Sequence, residues 1–137
     1  MKRLEDKVVI ITGATGGIGE ATVKLFLEEG ANVLMVDLHE EDLIAVSEKI
    51  DSNKLSYLEG DVSNFLDNQK AVDLAVERYG GLDVFIANAG VSGDVLPITE
   101  YDEQVFDKVM AVNAKGPFLG LQAAIPSMNE RGGGSFV

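Results

Sequence analysis

Thr12-Gly13-Ala14-Thr15-Gly16-Gly17-Ile18-Gly19 is the stretch on which the fold turns. It joins an apolar run, Val8 to Thr12, to a segment with helical periodicity. Glycines let a backbone turn tightly, approach a ligand closely and pack a helix against a sheet. The start of the following helix offers unpaired N–H groups and the positive end of its dipole. A pyrophosphate is the natural guest of such a turn. A connector without a ligand is the plainer reading, and the strand before and amphipathic helix after weigh against it. The spacing is not G-x-G-x-x-G. It is not a P-loop either, because Ile18 stands where that motif needs its second glycine and no Gly-Lys pair follows. The pattern is T-G-x-x-x-G-x-G, on Thr12, Gly13, Gly17 and Gly19.

Outward from this turn the chain alternates between two periods. Strand-like runs occur at Val8 to Thr12, Asn32 to Val36, Leu55 to Leu58 and Asp83 to Ala87, and a last one begins at Ser135-Phe136-Val137. Helical patterns lie between them. The first predicts Ile18, Ala21, Thr22, Leu25 and Phe26 as the inward face; the second, Leu43, Val46 and Ile50; the third, Val72, Ala75, Val76 and Tyr79. A long fourth helix is expected from about Tyr101 to Asn129, with Val105, Phe106, Val109, Val112, Leu119, Gln122 and Ile125 inward. Gly30 and Gly80-Gly81 read as helix stops, Asp102 or Thr99 as a cap, and Gly132-Gly133-Gly134 as a loop. Such alternation predicts an α/β fold, a doubly wound parallel sheet with helices on both faces. Residues 1–137 read as one domain, without repeats or linkers. A final strand of three residues is short for a buried one, so the sheet is expected to be incomplete on its C-terminal side.

Composition narrows the function. Lysine and arginine total 11 against 23 acids, a net charge of −12. That surface repels nucleic acid and anionic lipid but permits one small anion at a cluster of N–H donors. With no cysteine and a single histidine, His39, no thiolate or histidine metal site is expected. Glu40, Glu41 and Asp42 read as first-turn helix acids, not metal ligands. No segment reaches the ~20 apolar residues of a membrane helix, and the N-terminus lacks the apolar core of a signal peptide. A cytoplasmic location is the expectation.

Asp37 closes the second strand-like run and is followed by Leu38. An acid there can accept both ribose hydroxyls of an adenosine. A 2′-phosphate would meet like charge, and neither Thr15 and Gly16 nor residues 38–42 supply a lysine or arginine. NAD is therefore expected over NADP. A helix N-cap is the plainer role for Asp37, and both could coexist.

The glycine turn resembles the cofactor motif of the short-chain dehydrogenase/reductase family, and three later features match the same family. Asp61-Val62 follows the third strand, Asn88-Ala89-Gly90 follows the fourth, and Asn113 lies in the long fourth helix. Singly they read as a turn aspartate, a loop Asn-Gly pair and a helix-surface amide. In this order they are specific, and the resemblance covers essentially the whole chain. It implies a Rossmann-type sheet of order 3-2-1-4-5 with NAD across strands 1 and 4. It implies cofactor contacts from Thr12, Gly13, Thr15, Gly16, Gly17, Ile18, Gly19, Asp37, Leu38, Asp61, Val62, Asn88, Ala89 and Gly90, and Asn113 as the catalytic asparagine. Pro117 lacks the N–H that would bond the Asn113 carbonyl, freeing it for the water that the family is thought to hold there. A simple kink or break at Gly116-Pro117 is the alternative. A homo-oligomer and a small alcohol or carbonyl substrate are also implied.

The family's acid/base pair is Tyr-x-x-x-Lys. Here Tyr57 is followed four residues on by Asp61, Tyr79 by Asp83 and Tyr101 by Val105. Ser135 stands too early to match the family's serine. The expected function is thus the NAD-binding part of an oxidoreductase that moves hydride between NAD and an alcohol/carbonyl pair, with cofactor binding and no turnover by this chain alone. The alternative is a non-catalytic NAD-binding or assembly module. An S-adenosylmethionine methyltransferase also places an acid after its second strand, but Asn88-Ala89-Gly90 disfavours it.

Overall fold

All five residues of β1, Val8–Thr12, are buried, as a central strand covered on both faces must be. The computed structural model describes residues 2–137. After β1 come α1 (Gly17–Glu28), β2 (Asn32–Asp37), α2 (Glu40–Ile50), β3 (Leu55–Glu59), α3 (Phe65–Tyr79) and β4 (Val84–Ile86). A 3-10 turn at Ile98–Glu100 leads to α4 (Glu103–Met110), α5 (Gly116–Glu130) and β5 (Ser135–Phe136). The sheet is parallel, in the order β3-β2-β1-β4-β5. It is the Rossmann-type topology expected, and it is open at both edges.

Alternate residues of each strand enter different cores, because side chains alternate faces along a strand. Val8, Ile10, Leu34 and Phe85 pack with α3 and α5 through Ala71, Val72, Ala75, Ala123, Ala124 and Met128. Val9, Ile11, Val33 and Met35 pack with α1 and α2 through Val23, Leu43 and Val46. Asp83, just before β4, ties the start of the sheet together. Its Oδ2 accepts the Val8 N–H at 2.9 Å and the Arg131 guanidinium at 2.9 Å. Gly80 caps α3 with a φ of +87°, a conformation that costs glycine little. Asp102 caps α4 by accepting the Gln104 N–H, and Thr99 lies within the 3-10 turn.

The inward faces differ from those predicted wherever small residues make the contact. In α1 the buried positions are Gly19 and Val23, while Ile18 and Leu25 are exposed. Ala21 is exposed as well. The helical period is right and its phase is about one residue off. Gly19 lies so close to the Gly13 carbonyl that the helix turns its glycine, not its isoleucine, to the sheet. In α5 the buried face is Gly116, Leu119, Gly120, Ala123, Ala124, Ser127 and Met128, and Gln122 and Ile125 point outward. A Cβ on Gly120 would stand 3.0 Å from the Phe85 ring, so only a small residue lets the helix lie this near the sheet. Phe106 and Val76 are likewise more exposed than expected.

The long fourth helix is also not one α-helix. A π turn, Ala111–Lys115, separates α4 from α5, and the Gly116 N–H reaches back to the Ala111 carbonyl. The wider turn precedes Pro117, which has no N–H to give. The chain therefore stays helical through Gly116-Pro117, without a break.

Glu20 links α1 to α2. Its Oε1 takes Lys24 and Lys49, each at 2.6 Å. Hydrogen bonds from these two lysines lower its pKa from 4.5 to about 2. A depressed carboxyl pKa stabilises the fold above the unfolded value and loses that contribution as pH falls through the folded one. The melting-temperature difference between the unmutated chain and Glu20→Gln should be full above about pH 5 and shrink toward zero near about pH 2. A thermal melt series across that range checks it. High salt should reduce the difference, since the two lysines are open to solvent.

Candidate functional site

β1 lies between β2 and β4, and the helices that follow these strands cover opposite faces of the sheet. At such a reversal the connections part, and a crevice opens beyond the carboxyl ends of the strands. Here it is a cleft of about 530 Å³. The structure brings together in it Gly13, Thr15, Gly16, Gly17, Ile18, Gly19, Asp37, Leu38, Asp61, Val62, Asn88, Ala89 and Gly90. Gly60, Val91 and Val112 also line it and were not anticipated. A signal for Gly60 existed, since it directly follows the strand that ends beside Asp37. Its N–H donates to the Asp37 carbonyl at 2.9 Å. Val91 and Val112 carry no comparable mark.

The glycine turn is held from three sides. Gly13 has a φ of +61°, and a Cβ there would stand 2.8 Å from the Ala89 backbone. A Cβ on Gly19 would come within 2.1 Å of the Gly13 oxygen. Asn88 Nδ2 donates to the carbonyls of Thr12 and Gly13, both at 3.1 Å. Asn88 lines the cleft, but its amide nitrogen is committed to fastening β4 to the turn. Thr12 is buried and does not line the cleft. Its hydroxyl accepts the Ala89 N–H at 3.1 Å and donates to the Ile86 carbonyl. It braces the loop from behind.

Asp37 is bound to the same turn. Its Oδ2 accepts the Thr15 N–H at 3.0 Å and the Thr15 hydroxyl at 2.7 Å, and its Oδ1 accepts the Leu38 N–H at 2.8 Å. It does not cap α2. The N-cap position is His39, whose own side chain makes no capping bond, and Glu59 Oε2 accepts the Glu40 N–H at 3.0 Å. Glu40, Glu41 and Asp42 fall in the first turn of α2, as expected of acids complementing its dipole. Asp61 Oδ1 accepts the N–H and hydroxyl of Ser63, which folds the loop after β3 back on itself.

Asn113 stands apart from the cleft lining. Its Oδ1 accepts the Val91 N–H and its Nδ2 donates to the Val91 carbonyl, both at 2.8 Å. Both ends of the amide bond one backbone residue, so the side chain fixes the loop after β4. The tyrosines lie as expected. Tyr57 is on β3, and Tyr79 bonds Ser56 Oγ at 2.8 Å beneath α3. Tyr101 packs its hydroxyl against Gly93.

The family model described as short chain dehydrogenase matches residues 7–137. The chain is 38% identical over 136 residues to 3beta-hydroxysteroid dehydrogenase 2 of Eggerthella lenta, covering 98% of this chain and 52% of that protein. It superposes on the crystal structure of levodione reductase with a TM-score of 0.90 at 36% identity, covering 98% of this chain and 54% of that one. A 3-ketoacyl-(acyl-carrier-protein) reductase from Brucella melitensis, complexed with NADH, gives 0.89 at 32% identity, covering 94% and 53%. The chain thus spans about half the length of the relatives it matches.

The two glycines at the start of α1 should respond oppositely to one methyl group. Gly17 has nothing within 4 Å of a Cβ, whereas at Gly19 the loop or the helix must move. Gly19→Ala should lose about 1–3 kcal/mol of stability by overpacking. Gly17→Ala should lose almost none. Urea unfolding of the two variants beside the unmutated chain checks both.

Proposed function

The chain belongs to the short-chain dehydrogenase family, and on that premise we propose that it is the NAD-binding part of an oxidoreductase acting on an alcohol/carbonyl pair. The observation that carries this reading is Asp37, a carboxylate inside the cleft at the end of β2, with no lysine or arginine among the residues that line it. The turn suits a pyrophosphate. Gly16 caps α1 without a side chain, so the first N–H groups of the helix are not covered by one. Gly16 and Gly17 are exposed, and Gly17 has open space where a Cβ would be. NAD, when bound, supplies or accepts the hydride.

The chain's own residues then have separable tasks. Gly16, Gly17 and Ile18 present backbone donors to the phosphates. Asp37 and Leu38 receive the adenosine ribose, and Asp61 with Val62 borders the adenine. Asn88, Ala89 and Gly90 hold the turn against β4 and shape the nicotinamide end. Asn113 positions the Val91 backbone, and Pro117 leaves the Asn113 carbonyl without its usual donor, open to a water. Proton transfer to an alkoxide needs a general acid of tuned pKa, worth about 10²–10⁴-fold. Residues 1–137 contain no Tyr-x-x-x-Lys to supply it.

Residues 1–137 serve in this proposal as one NAD-binding domain that takes its place in a homo-oligomer. The exposed Phe106, Met110, Phe118, Leu121 and Ile125 on α4 and α5 support self-association. No helix among the described residues is long and apolar enough to cross a membrane. The cytoplasmic location expected from the sequence stays part of the proposal.

Two outcomes are expected. In calorimetry the chain should bind NAD more tightly than NADP, and Asp37→Ala should weaken NAD and narrow the gap. NADP binding equal to or tighter than NAD would defeat the nucleotide assignment. In an absorbance assay of NADH consumption over a panel of carbonyls, the 137-residue chain should show no steady turnover. Turnover that disappears in Asn113→Ala would show that these residues suffice for the chemistry.

A further inference from the structure

A second groove, of about 390 Å³, runs between α3 and α5 and shares no residue with the cleft. Val72, Val76, Ala123 and Pro126 give it an apolar bed. Asp73, Glu77 and Glu130 also line it, and among the described residues no lysine or arginine does. The basic residues that flank it in sequence are directed elsewhere. Lys70 pairs with Asp67, Arg131 pairs with Asp83, and Arg78 lines a separate hollow at the edge of β3. Two of the acids stand against the helix dipoles. Glu77 is in the last turn of α3 and Glu130 is the last residue of α5, where free carbonyls and the negative end of the dipole disfavour a carboxylate. A cation between them relieves both. No three acidic side chains among the described residues are grouped so as to hold a metal ion, which leaves an organic cation.

Ser127 narrows the choice of ligand. It lines the groove with 8% of its surface exposed, and its hydroxyl is buried without a hydrogen-bond partner. A serine inside a helix can return its hydroxyl to the carbonyl one turn back, and this one does not. A buried hydroxyl left unmet costs stability. Ala124 and Met128 beside it belong to the apolar core, so a partner has to come from the groove. A primary ammonium has three donors and no acceptor, which suits one hydroxyl oxygen and two carboxylates. Asp73 lies one helical turn from Glu77, about 6 Å along the axis. Gln69 Nε2 donates to Asp73 Oδ1 at 2.9 Å and steadies that carboxylate. A short polymethylene chain spans such a distance over the apolar bed. We propose that the groove between α3 and α5 binds an aliphatic diamine. One ammonium meets Ser127, Glu77 and Glu130, the other meets Asp73, and the methylenes lie on Val72, Val76, Ala123 and Pro126. The site is independent of the NAD reading.

The competing account is diffuse attraction of any cation to a chain of net charge −12. The test is calorimetric titration at neutral pH with 1,4-diaminobutane, 1-aminobutane and magnesium chloride, beside a thermal melt of each protein. The diamine should bind saturably, one per chain, and raise the melting temperature of the unmutated chain. The monoamine should bind about tenfold more weakly, for want of the second charged contact. Magnesium at equal concentration should not displace the diamine. Ser127→Ala should weaken the diamine about tenfold, the loss of one hydrogen bond to a charged group. Without ligand it should melt no lower than the unmutated chain, because it removes an unmet hydroxyl. Glu77→Gln combined with Glu130→Gln should abolish saturable binding. Glu41→Gln combined with Glu48→Gln removes the same charge from α2, on the other face of the sheet, and should leave binding intact. Failure to saturate, binding of the monoamine or magnesium as tight as that of the diamine, or equal losses in the two double variants would overturn the proposal in favour of diffuse attraction. Undiminished diamine binding by Ser127→Ala would overturn it as well. So would a melting temperature of Ser127→Ala well below that of the unmutated chain, which would show the hydroxyl already spent within the fold.

Discussion

The approach of α1 to the turn that precedes it is the constraint from which the rest of the site follows. Gly19 lies against the Gly13 carbonyl with no room for a methyl group between them. The start of the helix is thereby set at a fixed height above β1, with its first N–H groups at the mouth of the crevice. The same turn receives Asn88 from β4 and Asp37 from β2, so three neighbouring strands meet at one loop. Each contact is a hydrogen bond of ordinary length. Their joint effect is to fix a glycine-rich segment whose conformational freedom would otherwise be large.

Close approach recurs on the other face of the sheet. α5 turns glycines and alanines inward, and the ring of Phe85 occupies the space this leaves. A helix packed through small residues sits near the sheet and buries backbone as well as side chain. Leu119 and Met128 are buried with them, while Phe118, Leu121 and Ile125 are left on the outside. Extra apolar surface on α5 therefore results from using small residues as the contact layer, and it gives the expectation of self-association a structural basis.

Electrostatics act at two ranges. A net charge of −12 sets a repulsive field for anions at a distance. At the turn, backbone N–H groups and a helix dipole act over a few ångströms, where a diffuse field matters less. The acids close to the cleft are occupied locally. Asp37 is bound by Thr15 and Leu38, and Asp61 by Ser63. They shape donors and acceptors more than they add to a general repulsion.

Much of this was legible in the order of residues. Strand and helix periods, glycine stops and the spacing of Thr12, Gly13, Gly17 and Gly19 determined the element order, the parallel sheet and the end of the sheet where the cleft lies. They did so because period and turn chemistry are local properties of the chain. Legible too were Asp37 as a cleft carboxylate and the lack of any Tyr-x-x-x-Lys. The inward phase of α1 and α5 was not, because it depends on how near each helix lies to the sheet, and hydrophobicity counts favour Ile18 and Ile125 over the glycines and alanines that make the contact. The π turn before Pro117 was not, since a missing N–H does not say whether the helix breaks or widens. Only the tertiary structure could show that Thr12 braces the loop from behind, that Asn113 bonds the Val91 backbone through both its oxygen and its nitrogen, and that Thr15 holds Asp37. Each of these is a hydrogen bond between residues 22 to 77 positions apart, and partners at that distance meet only once the sheet has brought the ends of its strands together.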